Sequence, residues 1–473
     1  MTEDEFRELL LHGLDGIHRW EAGWRPFTPH ESLSVAPAQA REAIDALVAR
    51  LHDNYPFFHP DYAGQMLRPP HPIALIAYAL AARINPNNHA LDGGPATAQL
   101  ERECVDLLAA MLGLRTPCLG HLTSSGTIAN LEALWVASRL RPGKAVVFSA
   151  EAHYTHQRMC DLLGVPCHIV PVDAQGRVDV GALAAAGEHV DIGTVVVSAG
   201  TTATGAVDPI ADVCVLARNR GWRVHVDAAY GGFFATIAEL PEAALDPDGW
   251  RAVSECDSIV VDPHKHGLQP YGCGAVLFAD PDVGALYKHD SPYTYFTSRE
   301  LHLGEISLEC SRPGAAAAAL WTTLRCFPLD RHGIGRGLLA SRRAALHVFR
   351  DAVASETLCA VLEPQLDIVA LAPLARGERM RASVVSERSE AIFLALQGRD
   401  EDGSPRGMRP PLYLALWRVP RALGELALPA VDWDAEHCTV LRSVLMKPEH
   451  EGAASALAQR LACWPELMPS AGV

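Results

Sequence analysis

The sequence predicts an α/β fold in which helices cover both faces of a mostly parallel β-sheet, followed by a smaller α+β domain. Two observations support this prediction. Continuous apolar runs, separated by helical stretches of roughly 10–15 residues, recur between residues 144 and 278, which is typical of a parallel sheet buried on both faces. After about Gly333 the pattern changes to one long amphipathic helix and several alternating segments, which predicts a separate unit.

The larger unit begins with a helix and continues as alternating strands and helices. Residues 97–113 have helical apolar spacing that stops at a glycine. Short β-branched runs then predict strands, and the amphipathic stretches between them predict helices. The predicted strands are "KAVVFSA", "CHIVPV", "IGTVVVSAG", "RVHVDAAYGG", "DSIVVDPHK" and "GAVLFA", and the predicted helices are "YTHQRMCDLLGV", "VDVGALAAAGEH" and "IADVCVLARNRG".

The chain divides into three predicted parts. Residues 1–95 are rich in proline, histidine and aromatic residues, and we expect them to form an arm and loops that pack on a dimer partner. Residues 96–332 form the predicted large domain, and residues 333–473 form the small α+β domain. Within the small domain, "AIFLALQ", "LYLALWRV" and "HCTVLRSVLM" are predicted strands of an antiparallel sheet, and residues 398–407 a predicted exposed loop.

Charge and cysteine usage argue against several functional classes. The 473 residues carry a net charge of −16, which argues against nucleic acid or an anionic membrane as a partner. The 12 cysteines include no Cys-x-x-Cys pair and no zinc-like cluster, so we expect reduced thiols and no metal site. The N-terminus has no apolar signal region, and the apolar run at residues 73–82 is shorter than the ~20 residues of a membrane-spanning helix. We therefore expect a cytoplasmic protein.

Asp227 ends the apolar run "RVHVD". Ligands of parallel sheets bind at the carboxyl ends of the strands, and a carboxylate buried there needs a cation or hydrogen-bond donors. A functional anion is one interpretation of Asp227. A cap of the next turn and a metal ligand are the alternatives.

A candidate phosphate site precedes the helical stretch "GTIANLEALWVASRL". Gly126 and Thr127 stand at its start, where free N–H groups and the helix dipole favour an anion. The stretch lacks the Gly-Lys-Ser/Thr of a P-loop and the three glycines of a dinucleotide site. An ordinary N-cap by a serine or threonine is the alternative interpretation.

Three further strand ends carry polar side chains. His153 follows "AVVFSA" and Thr202 follows "IGTVVVSAG"; a hydrogen-bonded polar histidine and a turn capped by threonines are the simpler interpretations. Lys265 follows "DSIVVDPH" and lies between two histidines. A ligand with a phosphate, an aromatic ring, a basic ring nitrogen and an aldehyde would use all these features, and pyridoxal 5'-phosphate has these groups. Lys265 would bind its aldehyde as a Schiff base, and Asp227 would keep its ring nitrogen protonated.

The same stretches resemble the pyridoxal-phosphate-dependent group II amino-acid decarboxylases, the family of glutamate, aromatic-amino-acid and tyrosine decarboxylases. The resemblance extends over residues 55–329, and "GTIANLEALW" and "DPHK-x-G-x-x-PY" are most similar to the bacterial and archaeal tyrosine decarboxylases. It implies fold type I of the PLP-dependent transferases (aspartate aminotransferase-like), with a seven-stranded sheet in the large domain. It also implies decarboxylation of an L-amino acid to an amine and CO2.

The resemblance assigns roles to individual residues. It implies that Lys265 binds the cofactor covalently through a Schiff base, that Asp227 is the partner of the pyridine nitrogen, and that His153 stacks on the ring. The intermediate formed during decarboxylation would be a quinonoid. The further cofactor-binding residues that the resemblance implies are Gly126, Thr127, Thr202, Ala229 and His264.

The general acid of this family is a tyrosine on a mobile loop lent by the second subunit. Residues 288–314 correspond to this loop, and no tyrosine falls at the expected place, where Leu301 or His302 stands. We expect Tyr295 or His302 to protonate Cα, with aromatic residues that only pack as the alternative. The missing tyrosine also leaves open an oxygen-dependent reaction that yields an aldehyde.

The substrate determinants are expected in the N-terminal loops and in one C-terminal strand. Arg442 in "TVLRSVLMKP" would hold the α-carboxylate, with a solvent-facing strand residue as the alternative. An aromatic substrate would use "YPFFHPDYAGQ" with Gln65 or His121 as a polar end group. Glutamate or aspartate would need a second cation such as Arg68 or His89. The branch of the family favours a tyrosine-like substrate.

The arm and the lent loop imply a homodimer with active sites at the interface. A non-catalytic cofactor-binding scaffold is a different class of function for the same fold. The presence of Lys265, Asp227 and His153 together argues against that scaffold.

Overall fold

The computed structural model describes residues 1–90, 93–287, 306–398 and 410–467. It confirms the α/β prediction, with a mostly parallel sheet followed by a smaller unit that contains an antiparallel sheet. No helix within these ranges is both long and apolar enough to cross a membrane. All 12 cysteines are free.

The N-terminal segment contains more helix than the predicted arm and loops. It forms α1 (Glu3–Glu21), α2 (Pro37–Leu51) and α3 (Pro72–Ile84). α1 starts at a capping box in which the side chains of Thr2 and Glu5 bond to each other's backbone N–H. This short motif indicates a helix start, whereas the overall composition of the segment does not. α1 and α2 bury no residue of their own.

The large domain is built around a sheet whose described strands are β1 (Leu119–Thr123), β2 (Ala145–Ser149), β3 (Cys167–Val170), β4 (Ile192–Ser198), β5 (Arg223–Asp227), β6 (Ser258–Val261) and β7 (Gly274–Phe278). Their order across the sheet is β1-β7-β6-β5-β4-β2-β3. β7 runs antiparallel to both of its neighbours, and the other pairs are parallel. The predicted seven-stranded, mostly parallel sheet is therefore confirmed.

Helices cover both faces of this sheet, and they are α4 (Pro95–Met111), α5 (Gly126–Leu140), α6 (Thr155–Leu163), α7 (Val180–Ala186), α8 (Ile210–Arg220), α9 (Pro247–Ala252) and α10 (Gly314–Cys326). Successive residues of β4 enter different cores, because side chains alternate across a strand. Val195 and Val197 belong to the core that contains Val213 of α8. Val196 belongs to the core of Leu134 in α5 and Met159 in α6.

The register of the parallel strands places their polar ends side by side. Ser198, which ends β4, pairs with Asp227, which ends β5. Asp227 in turn pairs with Val260, one residue before the end of β6. The turn that follows β6 carries Lys265, so this edge of the sheet collects the predicted anion and the predicted amine.

The small domain combines a four-stranded antiparallel sheet with helices. The sheet contains β8 (Cys359–Ala360), β9 (Ile368–Ala372), β11 (Ala415–Pro420) and β13 (His437–Val444), and β10 (Met380–Arg381) pairs with β12 (Val431–Asp432). The helices are α11 (Ile334–Ala354), α12 (Ala382–Leu396), α13 (Arg421–Ala427) and α14 (His450–Ala462). The predictions of strands in "LYLALWRV" and "HCTVLRSVLM" are confirmed by β11 and β13.

The prediction of a strand in "AIFLALQ" is wrong, because this stretch forms the last turns of α12. A short apolar run does not by itself distinguish a strand from a buried helical segment. Its alanines and leucines favour helix, and the polar stretch "SERSE" before it continues the same helix. The third long strand of the sheet is instead β9, which was not predicted from the sequence. The division at residues 95/96 and 332/333 stays a prediction.

A buried arginine connects the two domains. Arg342 of α11 is 2% exposed, and its guanidinium donates to the backbone carbonyls of Ala243, Ala244, Pro364 and Leu366 over 2.7–3.3 Å. Burial lowers the pKa of Arg342 to about 10, so the side chain stays charged at neutral pH. One charged group therefore satisfies four carbonyls from two parts of the chain.

Replacing Arg342 by alanine should lower the free energy of unfolding by about 3 kcal/mol, because buried carbonyls lose a charged donor. Denaturant unfolding of the two proteins measures the difference. Arg343→Ala is the matched control, since the neighbouring guanidinium lies in an exposed pair with Glu451 and should contribute less than about 1 kcal/mol. An equal decrease in the free energy of unfolding in the two variants would show that the buried contacts of Arg342 with the carbonyls do not stabilise the contact between the domains.

Candidate active site

Asp227 is the buried anion at the carboxyl end of β5. Its Oδ1 accepts the backbone N–H of Ala229 over 3.2 Å, and its Oδ2 lies 2.9 Å from Nε2 of His156. Burial alone raises the pKa of the Asp227 carboxyl, but the hydrogen bond and charge of His156, with the charge of Lys265, outweigh burial. The pKa therefore lies well below its ordinary value, and Asp227 is an anion at neutral pH.

Lys265 lies on the turn that follows β6, beside a second acid. Its backbone N–H donates to the carbonyl of Asp262 over 2.9 Å, and its Nζ lies 3.3 Å from Oδ2 of the same residue. Burial raises the pKa of the Asp262 carboxyl, and the charge of Lys265 opposes this effect. The lysine side chain is 21% exposed, so its amine is held in place and still reachable.

The start of α5 already binds an acidic group. The backbone N–H of Ser124, in the turn before α5, donates to Oε2 of Glu309 over 2.8 Å. This turn therefore binds an anionic oxygen. Gly126 is buried, and a Cβ there would lie 2.6 Å from the carboxylate of Asp262, so any other residue at this position would displace that carboxylate. The hydroxyl-bearing residue Thr127 is exposed.

His153 offers a flat ring close to both charges. Its Nδ1 accepts the backbone N–H of Thr155 over 3.3 Å, and its ring centre lies 4.3 Å from that of Tyr154. Burial lowers the pKa of His153, the charge of Asp227 opposes this, and the charge of Lys265 adds to it. The structure therefore brings a neutral imidazole, the predicted anion and the predicted amine into one region.

His264 and Ala229 lie beside the two acids of this region, Asp262 and Asp227. The Nδ1 of His264 donates to the carbonyl of Cys273 over 2.8 Å, and its Nε2 lies 3.5 Å from Oδ2 of Asp262. Its ring centre is 4.7 Å from that of Tyr271. Both predicted cofactor residues are buried.

Arg442 is not a solvent-facing strand residue, so that alternative is wrong. It is 6% exposed, and it donates from Nε to the carbonyl of Ala203 over 2.8 Å and from a terminal nitrogen to that of Thr202 over 2.5 Å. A third bond, of 3.4 Å, reaches the carbonyl of Gly64. Arg442 thus joins the loop after β4 to the N-terminal loop at residues 62–68, while the side chain of Thr202 is exposed.

The other predicted substrate residues lie in different surroundings. Gln65 is exposed on the loop that Arg442 contacts. His121 is fully buried, with Nε2 2.9 Å from Oε2 of Glu132. Arg68 lines a cleft of about 870 Å³ whose lining includes neither Lys265 nor Asp227. His89 is partly buried, and its backbone N–H donates to the side chain of Asn87. The predicted acids Tyr295 and His302 lie outside the described residues.

Two residues that contact the predicted anion and amine were not predicted from the sequence. His156 bonds to Asp227, and it lies three residues after His153, in the first turn of α6. Asp262 precedes Lys265 by three residues in the quoted motif. Both signals were present in the sequence, but neither identifies a buried partner without the sheet register.

Comparisons with known proteins identify related sequences and a related fold. The model of the pyridoxal-dependent decarboxylase conserved domain matches residues 56–333. An L-tyrosine decarboxylase of Enterococcus faecium is 28% identical over 403 residues, covering 64% of this chain and 66% of that protein. A probable L-tyrosine/L-aspartate decarboxylase of Methanothrix thermoacetophila is 33% identical over 307 residues, covering 64% and 75%. The structure of Oryza sativa TDC with PLP and tryptamine has a TM-score of 0.75 at 18% identity and covers 99% of both chains, which confirms the fold.

The groups in this region fit pyridoxal 5'-phosphate. The turn before α5 accepts an anionic oxygen, as Glu309 shows, and phosphate has the same requirement. The carboxylate of Asp227 has two hydrogen bonds and retains lone pairs for a protonated ring nitrogen. The amine of Lys265 is partly exposed and can reach an aldehyde.

The Lys265→Ala variant should lose covalent attachment of the cofactor, because an imine requires a primary amine at this place. Wild-type protein supplied with pyridoxal phosphate should absorb in the visible range, and borohydride should fix the cofactor on the peptide of Lys265. Lys144→Ala is the matched control, since this exposed lysine pairs with Asp191 at the surface. Labelling of the Lys265→Ala protein at the wild-type level would contradict the assignment.

Proposed function

Because the chain belongs to the pyridoxal-dependent decarboxylase family, and is thus a carboxy-lyase that uses pyridoxal 5'-phosphate, we propose that it converts an aromatic L-amino acid into its amine and CO2. The observation that carries this proposal is the common location of Lys265, Asp227 and His153 at the carboxyl ends of parallel strands. The charges of the first two both act on the imidazole of the third. Such a collection of an amine, an anion and a flat ring suits one cofactor.

Different residues are proposed to bind different parts of the cofactor. When bound, the cofactor accepts the electron pair that remains at Cα after the carboxylate leaves as CO2. In our proposal Lys265 provides the covalent attachment, and Asp227 keeps a proton on the ring nitrogen because a buried anion stabilises the neighbouring cation. His153 covers the ring, and the first turn of α5 at Gly126 and Thr127 binds the phosphate.

Arg442 is proposed to orient the carboxylate that leaves. Three of its five N–H groups bond to backbone carbonyls, which leaves one N–H on each terminal nitrogen for a carboxylate. The surroundings are dry, because the side chain is almost fully buried, and poor solvation of a carboxylate favours its loss as CO2. Tyr295 or His302 remains the proposed source of the proton for Cα.

An aromatic substrate is favoured over an acidic one by the side chains beside the lysine turn. Tyr271 is 60% exposed, its ring lies 4.7 Å from that of His264, and its hydroxyl is 3.5 Å from the carbonyl of Met66. An exposed ring at this place offers edge or face contacts to a second ring. Arg68, the expected partner of a distal carboxylate, lines a cleft whose lining includes neither Lys265 nor Asp227.

A panel of amino acids tests the proposed substrate class. Purified protein with pyridoxal phosphate should turn over L-tyrosine or L-tryptophan with a kcat/KM at least about 10-fold above that for L-aspartate or L-glutamate, because complementary apolar contacts contribute roughly 1–3 kcal/mol. Amine, CO2, ammonia and peroxide are measured in one incubation. A higher kcat/KM for the acidic amino acids would overturn the aromatic assignment. Release of ammonia and peroxide in amounts equal to CO2 would identify the aldehyde-forming reaction instead.

We infer that a second copy of the chain covers the N-terminal helices. α2 buries none of its residues, and one face exposes a stripe of apolar side chains at helical spacing, namely Ile44, Leu47, Val48 and Leu51. A stripe of this kind normally packs against another surface. A homodimer also agrees with the expectation that the loop at residues 288–314 serves the partner's site.

The Leu47→Asp variant should dissociate the dimer, because it places a charge in the middle of the apolar stripe. Sedimentation velocity at micromolar concentration should show a wild-type dimer and a variant that is mostly monomer. Ala46→Asp adds the same charge to the opposite face of α2 and should leave the dimer intact. A wild-type monomer, or a Leu47→Asp dimer as stable as the control, would contradict the inference.

A further inference from the structure

His156 makes a direct side-chain contact with the buried carboxylate. It lies in the first turn of α6, it is fully buried, and its Nε2 is 2.9 Å from Oδ2 of Asp227. An ionised carboxylate has no proton to donate, so the ring nitrogen must be the donor. Among the described residues, Nδ1 of His156 has no hydrogen-bond partner, so its principal polar contact is with Asp227.

A second layer of polar groups fixes the neighbouring ring. His225 is fully buried, with Nε2 2.8 Å from Oδ1 of Asn130 and Nδ1 2.9 Å from the hydroxyl of Ser258. Burial lowers the pKa of His225 to about 3, so this ring is neutral and adds no charge. The ring centre of His156 lies 6.3 Å from that of His225 and 5.9 Å from that of Phe148.

We propose that His156 is a positioning residue for the cofactor, which holds the carboxylate of Asp227 in one orientation and in its ionised form, so that a proton shared with the pyridine nitrogen stays on the nitrogen. The inference rests on the proposed function only in that Asp227 faces the ring nitrogen. In this proposal His156 affects the reaction only through its hydrogen bond to the carboxylate of Asp227.

The expected effect of His156 is specific to one atom of the cofactor, the ring nitrogen. Without the donor at residue 156, burial makes the Asp227 carboxyl more basic, so it competes better for the shared proton and stabilises the protonated ring less. An analogue of pyridoxal phosphate in which a C–H group replaces the ring nitrogen cannot carry this proton. It retains the aldehyde and the phosphate, so its contacts with Lys265 and with the start of α5 are unchanged.

The experiment compares the binding of pyridoxal phosphate and of this deaza analogue to apoprotein. Wild-type protein should prefer pyridoxal phosphate, and His156→Phe, which keeps a ring and removes the donor, should reduce that preference about 10-fold, as expected for a hydrogen bond to a charged group. His156→Gln keeps an N–H donor and should retain most of the preference. His168→Gln replaces an exposed histidine of β3 and should match wild type.

Each outcome decides the proposal. Equal weakening of both ligands in His156→Phe would assign His156 a packing role only, and an unchanged preference would remove it from the site. If the phenylalanine variant does not fold, His156→Met makes the same comparison, because methionine adapts to irregular cores and donates no hydrogen bond. Another result is an about 10-fold loss of preference for pyridoxal phosphate in His156→Phe together with a wild-type protein that decarboxylates no amino acid. That result would refute the proposed function and leave the role of His156 supported.

Discussion

The burial of one carboxylate determines how the site is arranged. Asp227 ends a central strand, where an unpaired charge would be strongly unfavourable. The fold compensates with the N–H of Ala229, the ring of His156 and the charge of Lys265. These groups come from the turn after β5, from α6 and from the turn after β6, so stabilising a single anion requires three separate segments to meet.

Parallel topology explains why much of this site is predictable from the sequence. A buried parallel strand is a continuous apolar run, and such runs end where the polar residues of a site begin. Asp227, His153 and Lys265 each follow a run of this kind, so their common edge follows from the strand assignments. His156 lies in α6 and Asp262 directly follows β6, and only the assembled fold shows which buried group each one contacts.

Other features depend on residues outside the stretch from which they were predicted. The stretch "AIFLALQ" is apolar enough for either a strand or a helix, and the helix that precedes it decides the outcome. Arg442 has the alternation of an exposed strand residue, yet carbonyls from two distant loops surround it. His121 carries a polar ring in an apolar strand, and its partner Glu132 belongs to α5. For Arg442 and His121, the deciding partner belongs to another element of the fold.

The contacts of Arg442 also bear on how a leaving carboxylate is held. A flexible arginine at the surface would lose side-chain entropy when it binds a carboxylate. Arg442 has already lost that freedom in folding, because its bonds to Thr202, Ala203 and Gly64 fix the plane of the guanidinium. Its two remaining N–H groups therefore point in directions set by the loop after β4, which itself begins beside Asp227. The orientation of the substrate and the protonation of the cofactor are thus proposed to depend on one rigid edge of the sheet.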